Sequence, residues 1–284
     1  MIGVGSPWVR AARPKTLSLS VVPVLAGTWL AGSAARSDVL IAALVGAIGI
    51  QAGTNLWNDA ADAARGVDGP DRLGPPRMTA TGAVSASAMQ RAAGLAFVLA
   101  CLAGLYLIHV GGWPVLIIGI VSLALGYAYS MGPVPLSGLP IGELLVIAFF
   151  GVVAVSGTLW LHGGDAMALR TLWCGVMVGL PAAAILMLNN HRDRVADARA
   201  GRRTLAILVG EAWSRRLYVA GLLGALLIAV LWAPTLWLCA PAALLLWLSA
   251  AMLRWPVSER LNWLLPGTAA FQASLLAAVV LGGG

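Results

Sequence analysis

Four aspartates, Asp59, Asp62, Asp68 and Asp71, crowd one short stretch of the chain, and Asp193 and Asp197 form a second. Together they are six of only 11 acidic residues. Asn58 precedes Asp62 by four positions, and Asn189, Asp193 and Asp197 follow one another at intervals of four. On a helix end that spacing stacks side chains on one face. Arginine and glycine follow each stretch: Asp71-Arg72-Leu73-Gly74-Pro75-Pro76-Arg77 in the first, Ala200-Gly201-Arg202-Arg203-Thr204 in the second. Stacked carboxylates with amide oxygens suit a hard cation, and Mg²⁺ takes one or two carboxylates together with phosphate oxygens and water. Guanidinium groups fork onto phosphate oxygens. Two matched stretches of this kind predict a cradle for a diphosphate bound through Mg²⁺, whereas any single aspartate here is equally well read as one half of an interfacial ion pair.

The elements that must position these groups are membrane spans. Hydrophobic residues make up 60% of the 284 and charged residues 10%, against about 25% charged in a soluble domain, and mean hydropathy is +0.88. Apolar stretches recur from about residue 17 to the C-terminus, so the first is an uncleaved span and not a signal peptide. They predict about nine spans, near 17–35, 39–57, 90–110, 113–130, 142–162, 170–189, 217–233, 235–253 and 263–282. The runs are continuous and not alternating, which excludes a β-barrel. The expected fold is all-α, a polytopic transmembrane bundle of one membrane domain, 1–284, with a central cavity open to the cytoplasmic side and pseudo-repeat halves of roughly 17–130 and 142–282.

Orientation follows from the basic residues. The N-terminus and the loops after the second, sixth and eighth spans hold 16 of the 18 lysines and arginines, leaving only Arg36 and Arg170 for the other side. The positive-inside rule makes the richer side cytoplasmic. Four crossings separate the two acidic stretches, so both emerge on that face. The net charge of +7 thus describes one face of a membrane protein, with no separate nucleic-acid-binding domain. Cys101, Cys174 and Cys239 lie inside apolar stretches with no C-x-x-C spacing, and His109, His162 and His191 are scattered. They are packing residues, and no zinc site is expected.

At its paired stretches the sequence resembles the UbiA-type superfamily of intramembrane aromatic prenyltransferases, whose mark is two Asn/Asp-rich motifs after the second and sixth helices. The menaquinone-forming branch, which acts on 1,4-dihydroxy-2-naphthoate, is the more similar one. Asn58-Asp59-x-x-Asp62, Gly66-x-Asp68, Asp71-Arg72-x-Gly74-Pro75, Arg77 and Gly82 carry the likeness in the first half. Asn189-Asn190-x-Arg192-Asp193-x-x-x-Asp197-x-x-x-Gly201-x-Arg203-Thr204-Leu205 carries it in the second. Arg13-Pro14-x-Thr16-Leu17 and Tyr129-Ser130-x-Gly132-Pro133, leading to Gly142-Glu143, are similar too. Two positions depart from the usual pattern: Gly66 stands where many members have a third aspartate, with Asp68 two residues on, and Arg202 stands where a lysine is common. A carboxylate and a positive charge are retained nearby, so neither argues against activity.

The resemblance implies transfer of a polyprenyl group from its diphosphate to an aromatic acceptor, with loss of CO₂ in the menaquinone branch, in the bacterial plasma membrane. Mg²⁺ would be held among Asp59, Asp62, Asp68, Asp193 and Asp197, with Asn58 and Asn189 assisting. Asp62, Asp193 and Asp197 would be catalytic, and Arg72, Arg77, Arg202 and Arg203 would hold the departing phosphate oxygens. Tyr127 and Tyr129 are either walls for the allylic cation and acceptor or tyrosines of the interfacial belt. Lys15, with Arg13, either binds the acceptor carboxylate or anchors the first span. Other acceptors of the superfamily, such as 4-hydroxybenzoate, homogentisate or a chlorophyll-type ring, remain open. A transporter would place its working charges near the midplane, and a CDP-alcohol phosphotransferase would gather its acids into one segment.

Overall fold

The computed structural model of the chain describes residues 6–64, 73–130 and 135–283, with the backbone alone for Lys15 and Ser130. The described residues are helical, with no strand among them. A short α1 (Pro7–Ala12) leads into α2 (Pro14–Leu30), α3 (Ser37–Ala64), α4 (Ala86–Gly111) and α5 (Trp113–Ser130). In the second half come α6 (Gly142–Ile147) and α7 (Ala154–Leu161), joined by a π-helical turn over Ala148–Val153, then α8 (Leu169–Arg192), the short α9 (Arg194–Arg199), α10 (Leu205–Trp232), α11 (Cys239–Arg254) and α12 (Leu264–Leu281). Seven helical segments are long and apolar enough to cross a membrane, and two shorter apolar ones, Thr16–Leu30 and Trp113–Tyr129, stand where the first and fourth spans were expected.

Several helices outrun the apolar stretches that announced them. The second expected span ended near 57, but α3 continues to Ala64 and carries Asn58, Asp59 and Asp62 on its last turns. The seventh was expected from 217, yet α10 begins at Leu205. An apolar window marks the hydrocarbon-facing part of a helix, while the helix itself runs on wherever its polar side chains find partners. Arg215 does so within α10: it pairs with Glu211 one turn earlier at 3.0 Å and donates to the carbonyls of Met252 and, at 2.9 Å, Trp255 at the end of α11. Gly210 adopts φ +77° and breaks α10 into two pieces, a conformation open to glycine at little cost.

The core is lopsided. One large buried cluster joins α2, the α6–α7 span, α8, α10, α11 and α12, whereas α3, α4 and their neighbours share two small ones. The hydrophobic stretch of α8 is 72% buried, against 17% for α4. The α8 helix earns its central place through Gly175 and Gly179, four apart on one face. A Cβ on Gly151 of the π turn would come within 2.3 Å of the Gly175 carbonyl oxygen, and one on Gly179 within 3.0 Å of the Ile147 carbonyl oxygen. Small residues at this spacing let two membrane helices meet backbone to backbone. Outward-facing Leu95, Leu105, Ile117 and Leu231 are exposed, as suits side chains meeting lipid.

Candidate active site

Polar side chains gather the loops at one end of the bundle. Asn55, buried on α3, donates its amide to the Ala12 carbonyl at 2.9 Å and to Thr16 Oγ1 at 3.2 Å, binding the start of α2 to the end of α3. Arg192, at the last turn of α8, donates to Asn262 Oδ1 at 2.6 Å, and Asn262 in turn donates to the Leu73 carbonyl at 2.8 Å. That chain of contacts links the second acidic stretch to the segment that closes the first. The Arg203 backbone N–H reaches the Gly138 carbonyl at 2.7 Å, so the turn before α6 joins the same end.

Within this end each described aspartate of the two stretches already has a partner. Asp59 is 1% exposed, and both of its oxygens accept backbone N–H groups, from Met78 at 3.0 Å and Thr79 at 2.8 Å. Asp62, one helical turn on, is bound by Arg77 from the same loop. In the second stretch Arg192 forks onto both oxygens of Asp193, at 2.8 and 2.6 Å, and Arg202 bonds Asp197 at 3.0 Å. Burial pushes the Asp197 carboxyl above its ordinary value, and the Arg202 guanidinium pulls it back down. Among the described residues, Asp62, Asp193 and Asp197 each face a guanidinium at the same end of the bundle.

The half-buried Asn58 and Asn189 have no side-chain hydrogen bond among the described residues, which leaves both amides open to a ligand. The exposed Arg203 is likewise without an ion-pair partner among them. Tyr129 and Tyr127 separate. Tyr127 is 58% exposed, whereas the Tyr129 hydroxyl lies over the start of α6, at 3.9 Å from where a Gly142 Cβ would stand. Residues two apart on a helix face different ways, so Tyr129 turns toward α6 and Tyr127 does not. Asp68, Asp71 and Arg72 lie outside the described residues, as does the side chain of Lys15, whose backbone stands in the first turn of α2.

One participant was not read from the sequence. Asn262, just before α12, is the bridge between the stretches; the only signal was an amide in a short loop. Asn190 and Glu143, each part of a motif, meet: Asn190 donates to Glu143 Oε1 at 2.9 Å, a pairing that no spacing announces. No group of three or more His, Cys, Asp or Glu side chains among the described residues is gathered closely enough to hold a metal by itself. Mg²⁺ needs fewer protein ligands than that when phosphate oxygens and water complete its shell, and the carboxylate and amide oxygens here are the donor types it takes.

The chain matches the UbiA prenyltransferase family over residues 20–275. It is 35% identical to the 1,4-dihydroxy-2-naphthoate octaprenyltransferase of Escherichia coli over 77% of this chain and 73% of that protein. To the enzyme of the same name from Mycobacterium tuberculosis it is 36% identical, over 84% and 83%. Among solved structures, the apo form of a UbiA homolog from Aeropyrum pernix superposes with a TM-score of 0.73 at 15% identity, over 95% of this chain and 98% of that one. A UbiA homolog from Archaeoglobus fulgidus bound to GPP and Mg²⁺ gives 0.66 at 16% identity, over 98% and 99%. These last two likenesses establish the shared helical fold.

Proposed function

This chain belongs to the UbiA prenyltransferase family, and from that premise we propose that it transfers a polyprenyl group from polyprenyl diphosphate to 1,4-dihydroxy-2-naphthoate, with loss of CO₂, at the end of the bundle that carries the two acidic stretches. Relatives named for that reaction, at 35% and 36% identity, support the acceptor. The observation that carries the site is the Arg192–Asn262–Leu73 connection, which ties the two acidic stretches into one polar end.

Asp62, Asp193 and Asp197 each face an arginine, and breaking a buried pair with no replacement costs about 3–5 kcal/mol. A diphosphate arriving with a divalent cation offers both partners a new opposite charge at once. Arg77 and Arg202, with Arg203 and Arg72, turn to phosphate oxygens. Asp62, Asp193 and Asp197, with Asp68 and the open amides of Asn58 and Asn189, would hold Mg²⁺. Bound there, Mg²⁺ supplies positive charge where negative charge grows on the leaving diphosphate. Asp59 acts through the loop, since its oxygens hold the Met78–Thr79 turn that presents Arg77. Tyr129 walls the acceptor side, where an electron-rich ring face suits an allylic cation. Enclosure of the reaction among membrane helices keeps water from the cation. The basic residues in the loops at this end support a cytoplasmic face for it, and the halves 17–130 and 142–282 are read as repeats that each contribute one stretch.

A membrane assay offering 1,4-dihydroxy-2-naphthoate and 4-hydroxybenzoate in competition, with several polyprenyl diphosphates and with or without EDTA, tests this reading. It expects a prenylated, decarboxylated naphthalenediol that disappears with EDTA. Preferential prenylation of hydroxybenzoate would reassign the acceptor, and turnover indifferent to EDTA would remove the role given to Mg²⁺.

A further inference from the structure

Among the described residues, Glu143 stands among the charged groups of this end without the arginine that Asp62, Asp193 and Asp197 each possess. It is 8% exposed. Its Oε1 accepts the Asn190 amide at 2.9 Å, and its Oε2 is sealed from solvent with no hydrogen-bond partner among the described residues. An amide donor orients a carboxyl group and leaves its charge uncompensated. A buried polar atom without a partner is costly, and a position that keeps one is suited to a partner that arrives with the substrate. The location fits such a partner. Asn190 belongs to the second acidic stretch, next to Asn189. Tyr129, at the end of α5, lies over the first turn of α6 that carries Glu143, and Glu143, Asp197 and Arg202 are all within electrostatic reach of its hydroxyl.

We propose that Glu143 is the proton carrier for the ring-alkylation half of the reaction, with Asn190 as its positioning residue. This rests on the reading of the acceptor as a dihydroxy-naphthoate. The prenyl C–O bond breaks and its electron pair leaves with the diphosphate. The ring carbon bearing the carboxylate gives an electron pair to the allylic carbon, and the adjacent ring hydroxyl gives its proton to Glu143 Oε2, leaving a ketone beside the new C–C bond. The bond to CO₂ then breaks, its electrons restore the aromatic ring as an enolate, and Glu143 returns the proton to that oxygen. The carboxylate ends as it began, which a shuttle sealed from water requires.

Among the described residues of α8, which packs against α6, His191 bonds Ser214 at 2.7 Å and Arg192 holds Asp193. Asp197 and Arg202, which also act on the Tyr129 hydroxyl, pair with each other at 3.0 Å.

The test uses the full chain in membranes at saturating Mg²⁺, comparing wild type with Glu143→Gln. The glutamine keeps the side-chain length and still accepts the Asn190 amide, but it cannot carry the proton. The proposal expects kcat to fall about 100-fold or more, the usual weight of a positioned acid–base group. KM for polyprenyl diphosphate stays unchanged, and the loss of activity toward acid pH that the proposal expects of wild type is absent from the residual activity. A kcat within threefold of wild type, with the same pH profile, would reduce Glu143 to a packing residue. Should the glutamine variant fail to accumulate, Glu143→Asp decides: a displaced acid limb supports the assignment and an unaltered one overturns it. Absence of prenylated naphthalenediol from wild type itself would instead sink the functional reading, a result distinguishable from either.

Discussion

At the end of α3, Arg77 reaches Asp62 from a loop 15 residues further along the chain, while Asp59 spends both oxygens on backbone N–H groups of that same loop. At the end of α8, Arg192 grips Asp193 from the adjacent position and Arg202 meets Asp197 from five residues away. The residue types match, but their support differs. The second stretch hangs from the most buried helix of the bundle and is braced by Asn262. The first depends on a loop folded over a helix pair that has little core of its own. Equivalent chemistry is therefore held from the end of a packed helix on one side and through a loop on the other.

The comparison breaks first if either acid proves dispensable. Asp62→Asn or Asp193→Asn should cost about 10²–10³-fold or more in prenyl transfer, the weight of a group that stabilises developing charge, while the protein still inserts. Product formation in membranes measures it, and near-normal turnover by either variant would remove that stretch from the site. Asp59→Ala sharpens the difference in support. Two buried N–H groups lose their acceptor at about 1–3 kcal/mol each, so the loop loosens and KM for the diphosphate rises more than kcat falls. Limited proteolysis near residue 78, compared with wild type, reports the loosening.

Smaller effects separate the tyrosines. Tyr129→Phe should lower kcat by about tenfold if its hydroxyl orients the acceptor, and Tyr127→Phe should leave kcat unchanged. Equal effects would contradict the division between an inward and an outward side chain. The smallest expected effect is on pH. Burial holds the Asp197 carboxyl above 3.8, against the pull of Arg202, so the native state binds that proton more tightly than the unfolded chain. Its contribution to stability is full below the ordinary aspartate value and is lost as pH rises through the native one. Without metal, Asp197→Asn should flatten the stability profile just above pH 3.8; an unchanged slope in thermal unfolding would show that the group is not desolvated.

Much of this was legible because membranes impose severe rules. Apolar stretches near the length of a bilayer crossing located the helices, and the rarity of acids made Asp59, Asp62, Asp193 and Asp197 conspicuous. Helix ends were less legible. Hydropathy stops where lipid stops, and α3 and α10 continue past it on paired polar residues such as Glu211 and Arg215. Which arginine meets which aspartate could be guessed only from adjacency, and Arg77 on Asp62 is not adjacent.

Alone, the sequence determined that the chain is a helical membrane protein with two like stretches of carboxylates and arginines on one side, because hydrophobic length and the even number of crossings between them leave little freedom. Only the tertiary structure decided that Asn262 bridges the stretches, that Tyr129 turns inward while Tyr127 faces out, and that Glu143 keeps an oxygen with no partner among the described residues. Those outcomes depend on the rotation and close approach of helices, set by contacts such as Gly151 against Gly175 between residues far apart in the chain, which no local spacing encodes.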